Sequence, residues 1–213
     1  TVTAVILPDA RRVAVSGAGY DPIGELTIDE QTVSAGDLPE LRRLLEAITL
    51  CNDAQLKTPN TTDNRWQAIG DPTEAALLTA SMKGGINVDA LRQAWLRSAE
   101  IPFDSASKMM ATQHRDTTGK NRIIFKGAPE ALLDLCAPDS MGGNDFAKIA
   151  ADLAGQALRV LAVAECRDGM LGRDSVFEDF RGRLVLCGLV AQMDPPREEV
   201  RAAVTACQAA GIR

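Results

Sequence analysis

Residues 122–136 read RIIFKGAPEALLDLC, an apolar run that ends on a lysine and turns through Gly-Ala-Pro into a helical pattern. Ile123, Ile124 and Phe125 are β-branched and aromatic residues of the kind a half-buried pleated surface favours. Pro129 is preorganised for the first turn of a helix. Lys126 therefore stands where a strand stops. Lysine is seldom buried, so a solvated strand end is its ordinary reading. Gly127 beside it removes a side chain and lets another molecule approach the backbone. Position alone leaves both readings open.

Moving outward, KMMATQH and NRIIFK flank the polar RDTTGK, the pattern of a β-hairpin. TVTAVILPD and RRVAVSG read as two strands joined by a turn, and GAGYDPIGELTI as a loop with a short strand. GDLPELRRLLEAITLCNDAQL places Leu38, Leu41, Leu45 and Ile48 at helical spacing, with Asp37 and Glu40 as an expected capping box. GDPTEAALLTASMKGG predicts a second helix, with Asp71 as cap, Pro72 in the first turn and Gly84 at the end. DALRQAWLRSAE predicts a third before the chain turns extended at IPFD. Another helix is expected after Pro129 and one near NDFAKIAADLAGQAL, with strands at RVLAVAEC and RLVLCGLVAQM. Strands clustered in hairpins with helices between them predict an α+β fold, a mainly antiparallel sheet flanked by helices. At MDPPREEVRAAVTACQAAGIR, Pro195 and Pro196 stiffen a junction before a helix from Glu198 to Ala210, which reads as a domain boundary after residue 193 or, equally from composition, as a proline turn within one domain.

At 213 residues and 46% hydrophobic content the chain can bury a sizeable core. Its formal net charge of −6 argues against a non-specific nucleic-acid binder, which needs a basic surface. The five cysteines form no CxxC pair and a single histidine, His114, accompanies them; reduced, buried or idle thiols are expected, and His114 reads as a hairpin residue without a role. No apolar run approaches the roughly 20 residues of a membrane span. The chain opens without methionine and stops just after a helical pattern, as a piece of a longer protein does.

The segment FKGAPEALLDLC resembles the KGAPE signature of P-type ATPases. Five further stretches follow that family's order: CNDA at 51–54, GDPTEAALL at 70–78, IPFDSASKMM at 101–110, LRVLAVAE at 158–165 and MDPPREEV at 193–200. Together they are similar to the nucleotide-binding domain of type II cation pumps, the calcium-pump and sodium/potassium-pump group. The resemblance implies a nucleotide-binding domain at 1–193, followed at 194–213 by a hinge and the first helix of the next phosphorylation-domain segment. It implies a cytoplasmic domain of an integral membrane protein, with the phosphorylation and actuator domains of the same pump as partners and no nucleic acid.

Carried over residue by residue, the resemblance implies that Phe103 stacks on adenine and that Glu74 accepts a hydrogen bond from the adenine amino group. It places Lys126 deep in the pocket near base and ribose, with Gly127 beside it. Lys108 falls near the phosphates or base, and Arg159 at the phosphate end. Each has a plainer reading: Phe103 as a core residue, Glu74 as the second half of a capping box with Asp71, and Arg159 as a surface ion-pair partner. Some calcium pumps carry an arginine where this chain has Ser105, which shifts phosphate contact toward Lys108 and Arg159.

The implied function is ATP and ADP binding, as Mg-ATP in the full-length enzyme, with the γ-phosphate presented to an aspartate outside this chain. The chain has no DKTGT or DxDx[TV] nucleophile, so it is expected to bind ATP without hydrolysing it. The alternatives are a self-sufficient phosphohydrolase and a regulatory interaction domain without nucleotide binding.

Overall fold

A computed structural model describes residues 1–59, 65–166, 168–193 and 198–212. Its main feature is a nine-stranded antiparallel sheet. The strands are β1 (Val2–Ile6), β2 (Arg12–Val15), β3 (Leu26–Ile28), β4 (Gln31–Val33), β7 (Leu96–Asp104), β8 (Met109–Arg115), β9 (Asn121–Gly127), β10 (Arg159–Cys166) and β11 (Val185–Gln192). Across the sheet they run β4-β3-β2-β1-β11-β10-β9-β8-β7, and β5 (Gln55–Lys57) pairs with β6 (Gln67–Ile69) in a separate ribbon. The helices are α1 (Pro39–Leu50), α2 (Pro72–Lys83), α3 (Val88–Ala94), α4 (Pro129–Leu132), α5 (Phe146–Ala154) and α6 (Glu198–Ala209). The α+β expectation holds. The last helix falls within a residue of its expected end, while Pro195 and Pro196 lie outside the described residues.

Both faces of the sheet are covered, because side chains alternate across a strand. On β9, Ile123 and Phe125 join a core with Leu132 of α4, Phe146 and Leu153 of α5, and Phe180. Ile124 points the other way, into a core with Leu41, Leu44, Leu45 and Ile48 of α1 and Ala76, Leu77 and Ala80 of α2. Lys126 shares that second face by the same period of two. Arg122, two positions before Ile124, is buried there in an ion network. It donates to Glu165 of β10 and Glu46 of α1, each at 2.9 Å, while Arg43 donates to the other oxygen of Glu165 at 2.8 Å. The network ties α1 to β9 and β10.

Two local expectations fail. The Asp37/Glu40 capping box does not form: α1 begins after Leu38 without a side-chain cap, and Asp37 instead accepts from the Ser34 backbone N–H at 2.8 Å and hydroxyl at 2.7 Å. Pro39 in the first turn already removes one of the donors a cap would serve. The third helix is shorter than its periodicity predicts. It stops at Ala94, and Leu96–Glu100 belong to β7, where pairing with β8 outweighs a modest helix propensity.

Candidate functional site at the end of the sheet

The site is assembled where β8 and β10 begin and β9 ends, beside the start of α2. A cleft of about 390 Å³ is lined by Asp53, Asp71, Thr73, Glu74, Phe103, Lys108, Met110, Lys126, Gly127, Arg159 and Leu161. All six residues singled out in the sequence are there, although they span 86 positions of the chain between Glu74 and Arg159.

Lys126 is 5% exposed, so it is not a solvated strand end. Its ammonium donates to Glu74 Oε1 and to the Cys51 carbonyl, both at 2.6 Å. A buried cation needs such partners. Glu74 in turn accepts the Asp53 backbone N–H on Oε2 at 2.8 Å. Asp71 alone caps α2, accepting from the backbone N–H groups of Thr73 and Glu74. Of the two sequence readings of Glu74, the capping-box half therefore fails: its carboxylate reaches across to β9 and the 51–54 loop. Nothing in the spacing of GDPTE distinguishes the two, since Lys126 is 52 residues away.

Phe103 is 63% exposed, which excludes the core reading. It lies on β7, the edge of the sheet, where the register with β8 shifts between Ile101 and Asp104. Pro102 cannot donate to a ladder, so the break falls there and leaves the ring on the cleft wall. The turn after β7 brings Lys108 back with φ +55°, a left-handed backbone unusual for lysine. Its amine donates to Glu130 at 2.9 Å, with the two side chains 58% and 65% exposed. This bond holds the Glu130 carboxyl below its usual range. Arg159, at the start of β10, donates to the Thr73 hydroxyl at 3.0 Å. Ser105 lies in the turn and outside the residues lining the cleft.

Gly127 needs a different account from the one its position suggests. A Cβ there would sit 2.5 Å from the Lys108 carbonyl oxygen and 2.6 Å from Met109 Cγ. The missing side chain makes room for β8, which pairs Met109 directly with Gly127. His114 also departs from its reading as a plain hairpin residue. It is 2% exposed on β8, with Nε2 2.9 Å from the Thr112 hydroxyl and Nδ1 3.4 Å from the Trp95 carbonyl. Burial, opposed by the Trp95 contact and aided by Arg97, Arg122 and Arg92, brings its pKa down to about 4. Cys51, Cys136, Cys166 and Cys187 are buried and Cys207 is exposed.

A family model described as P-type ATPase, cytoplasmic domain N, matches residues 40–199. The chain belongs to that family. Among curated relatives, the N domain is 35% identical to a calcium-transporting ATPase of Bacillus subtilis (strain 168) over 209 residues, covering 93% of this chain and 23% of the relative. It is 34% identical over 225 residues to the calcium-transporting ATPase type 2C member 1 of Bos taurus, covering 100% of this chain and 21% of the relative. A probable cation-transporting ATPase F of Mycobacterium tuberculosis (strain ATCC 25618 / H37Rv) is 37% identical over 228 residues, covering 100% of this chain and 24% of the relative. The chain thus spans between a fifth and a quarter of these relatives. No helix among the described residues of the N domain is long and apolar enough to cross a membrane.

Proposed function

We propose that the cleft binds ATP and ADP, and that in a complete cation pump residues 1–193 present the γ-phosphate to an aspartate on a neighbouring phosphorylation domain, into which residues 194–213 lead. The observation that carries this reading is that one cleft brings together an exposed aromatic ring, a paired carboxylate and lysine, and two further cations. An open aromatic face, Phe103, lines it together with a carboxylate and a lysine, Glu74 and Lys126, that neutralise each other. A flat base with donor and acceptor edges suits that combination. Lys108 and Arg159 line the same cleft and keep their charge available: Arg159 is bonded to a neutral hydroxyl, and Lys108 to an exposed carboxylate that a phosphate can displace. The volume lies within the range of small-molecule sites, roughly 300–1,000 Å³.

Positioning dominates phosphoryl transfer, so a domain that only holds the nucleotide has a sufficient role. No described group of three or more His, Cys, Asp or Glu is placed to hold a metal ion. In the full-length enzyme Mg²⁺ would travel with the phosphates, its other oxygen ligands coming from elsewhere. Stacking plus two or three charged hydrogen bonds, less ordering costs, supports a Kd of roughly 0.1 to several mM. The test is calorimetric titration with ATP and ADP, with and without Mg²⁺, beside a phosphate-release assay. Similar, modest affinities, little Mg²⁺ effect and no release are expected. Steady release that disappears on mutating one of the chain's own aspartates would favour a phosphohydrolase, and no binding would favour an interaction domain.

A further inference from the structure

The segment CNDA, residues 51–54, carries Asp53 of the cleft wall and two of the backbone groups that fix the Glu74–Lys126 pair. The Cys51 carbonyl accepts from Lys126, and the Asp53 N–H donates to Glu74. Backbone groups can be aimed only by holding the loop itself. Asn52 does part of this, donating to the Ile48 carbonyl at 3.1 Å and the Glu74 carbonyl at 2.9 Å while accepting the Ala54 N–H at 2.9 Å. Arg92 adds contacts to the Asn52 and Ala54 carbonyls at 3.1 and 3.2 Å.

Arg97 does something the others do not. Its guanidinium donates to the Asp53 carboxylate at 2.5 Å, to Glu100 at 2.9 Å, and to the Leu50 and Asn52 carbonyls at 3.2 and 3.1 Å. It sits on β7, the strand that also carries Phe103. That strand is at the sheet edge, paired among the described residues with β8 alone, and a register shift between Arg97 and Ala99 interrupts even that ladder. Such irregularities re-aim side chains. An edge strand with broken pairing needs a second tether if its position is to be fixed, and the planar fork of arginine can hold a carboxylate and two carbonyls together.

We propose that Arg97 is a positioning residue for the cleft residues read as holding the base, locking the Phe103 strand to the 51–54 loop and so fixing the aromatic face relative to the Glu74–Lys126 pair. This rests on the nucleotide-binding reading. Its consequence is selective: loss of the lock loosens recognition of the base edge before it weakens generic attraction for phosphate.

The test compares Arg97→Lys and Arg97→Ala with the unmodified 213-residue chain. ATP and GTP are titrated against each, thermal unfolding is recorded, and acylation of Lys126 by an amine-directed reagent is followed by mass spectrometry without nucleotide. Lysine keeps the charge near the α1 carboxyl end but cannot hold the three partners at once. Arg97→Lys is expected to unfold close to the unmodified temperature, to lose about tenfold in ATP affinity with a smaller loss for GTP, and to acylate faster at Lys126. Arg97→Ala shows the same with lower stability. Equal proportional losses for ATP and GTP with unchanged acylation overturn the proposal and leave Arg97 a helix-end cap. If Arg97→Ala does not fold, Arg97→Lys decides. If the unmodified chain binds neither nucleotide, the proposed function fails, and acylation alone decides on Arg97: faster labelling supports the lock, unchanged labelling overturns it.

Discussion

Lys126 and Glu74 form a buried ion pair, Nζ to Oε1 at 2.6 Å, with side chains 6% and 14% exposed. The lysine of the KGAPE segment is thus answered inside the protein before any ligand arrives. Breaking such a pair by removing one member strands the other charge, whereas removing both with apolar replacements is far milder.

Glu74→Ala is therefore expected to destabilise the fold by about 2–4 kcal/mol, and adding Lys126→Met to recover much of that loss. Denaturant unfolding of the two single variants and the double variant gives the coupling directly. Additive losses would mean that the pair is not a unit.

Phe103→Ala should weaken ATP binding by about 1–3 kcal/mol and leave thermal stability nearly unchanged, since an exposed ring opens no cavity when truncated. Calorimetry and a melting curve on the same sample suffice. A large drop in melting temperature with unaltered affinity would contradict the stacking role.

The backbone at Gly127 leaves no room for a methyl group. Gly127→Ala drives a Cβ against the Lys108 carbonyl and Met109, so a cost of about 1–3 kcal/mol is expected, with displaced amide chemical shifts at Lys108 and Met109. An alanine variant as stable as glycine, with unshifted resonances, would show that β8 yields freely.

His114 gives a pH dependence whose sign follows from its lowered pKa. With a value near 4 in the fold and about 6.5 in the unfolded chain, the unfolded state binds the extra proton between these limits. Stability is then fully present above pH 6.5 and declines as pH falls toward 4, by up to about 3 kcal/mol. His114→Gln should flatten that part of the profile, read as unfolding free energies at pH 7, 5.5 and 4.5 for both chains. Parallel profiles would remove His114 as the cause.

Glu130→Gln removes the counter-ion of Lys108. The pair is exposed, so stability should change by less than about 0.5 kcal/mol. Affinity for ATP should rise modestly, more at low salt, while affinity for adenosine stays unchanged. Equal gains for both ligands would place Lys108 at the base.

Strands β1 to β3 and β8 to β11, the sheet class and the α2 start were legible because local signals agreed there: Asp71-Pro72 marks a helix entrance, and RVLAVAEC is a strand over its whole length; β4 and the β5–β6 ribbon are too short to carry such a signal. The third helix was misread past Ala94 because LRSAE owes its strand state to a neighbour, β8, that comes later in the chain. Gly127 and Glu74 show the same limit at the site. The partner that explains each lies 19 and 52 positions away, respectively Lys108 and Lys126, and no local pattern names it. Arg97 carried no motif of its own. Only its closeness to Asp53 in space brings it to notice.

Phe103 and Lys108 stand open at the cleft rim, while the cleft floor is set on paired strands and a capped helix. In terms of time, a site needing no lid to open admits ligand at a rate of roughly 10⁶–10⁷ M⁻¹s⁻¹. Combined with a Kd of about 1 mM, that corresponds to residence times of about a millisecond or less. On the proposed reading, a nucleotide would leave and be replaced many times before a slow step elsewhere could commit it, and the domain would sample the surrounding ATP-to-ADP ratio continuously rather than store a single molecule.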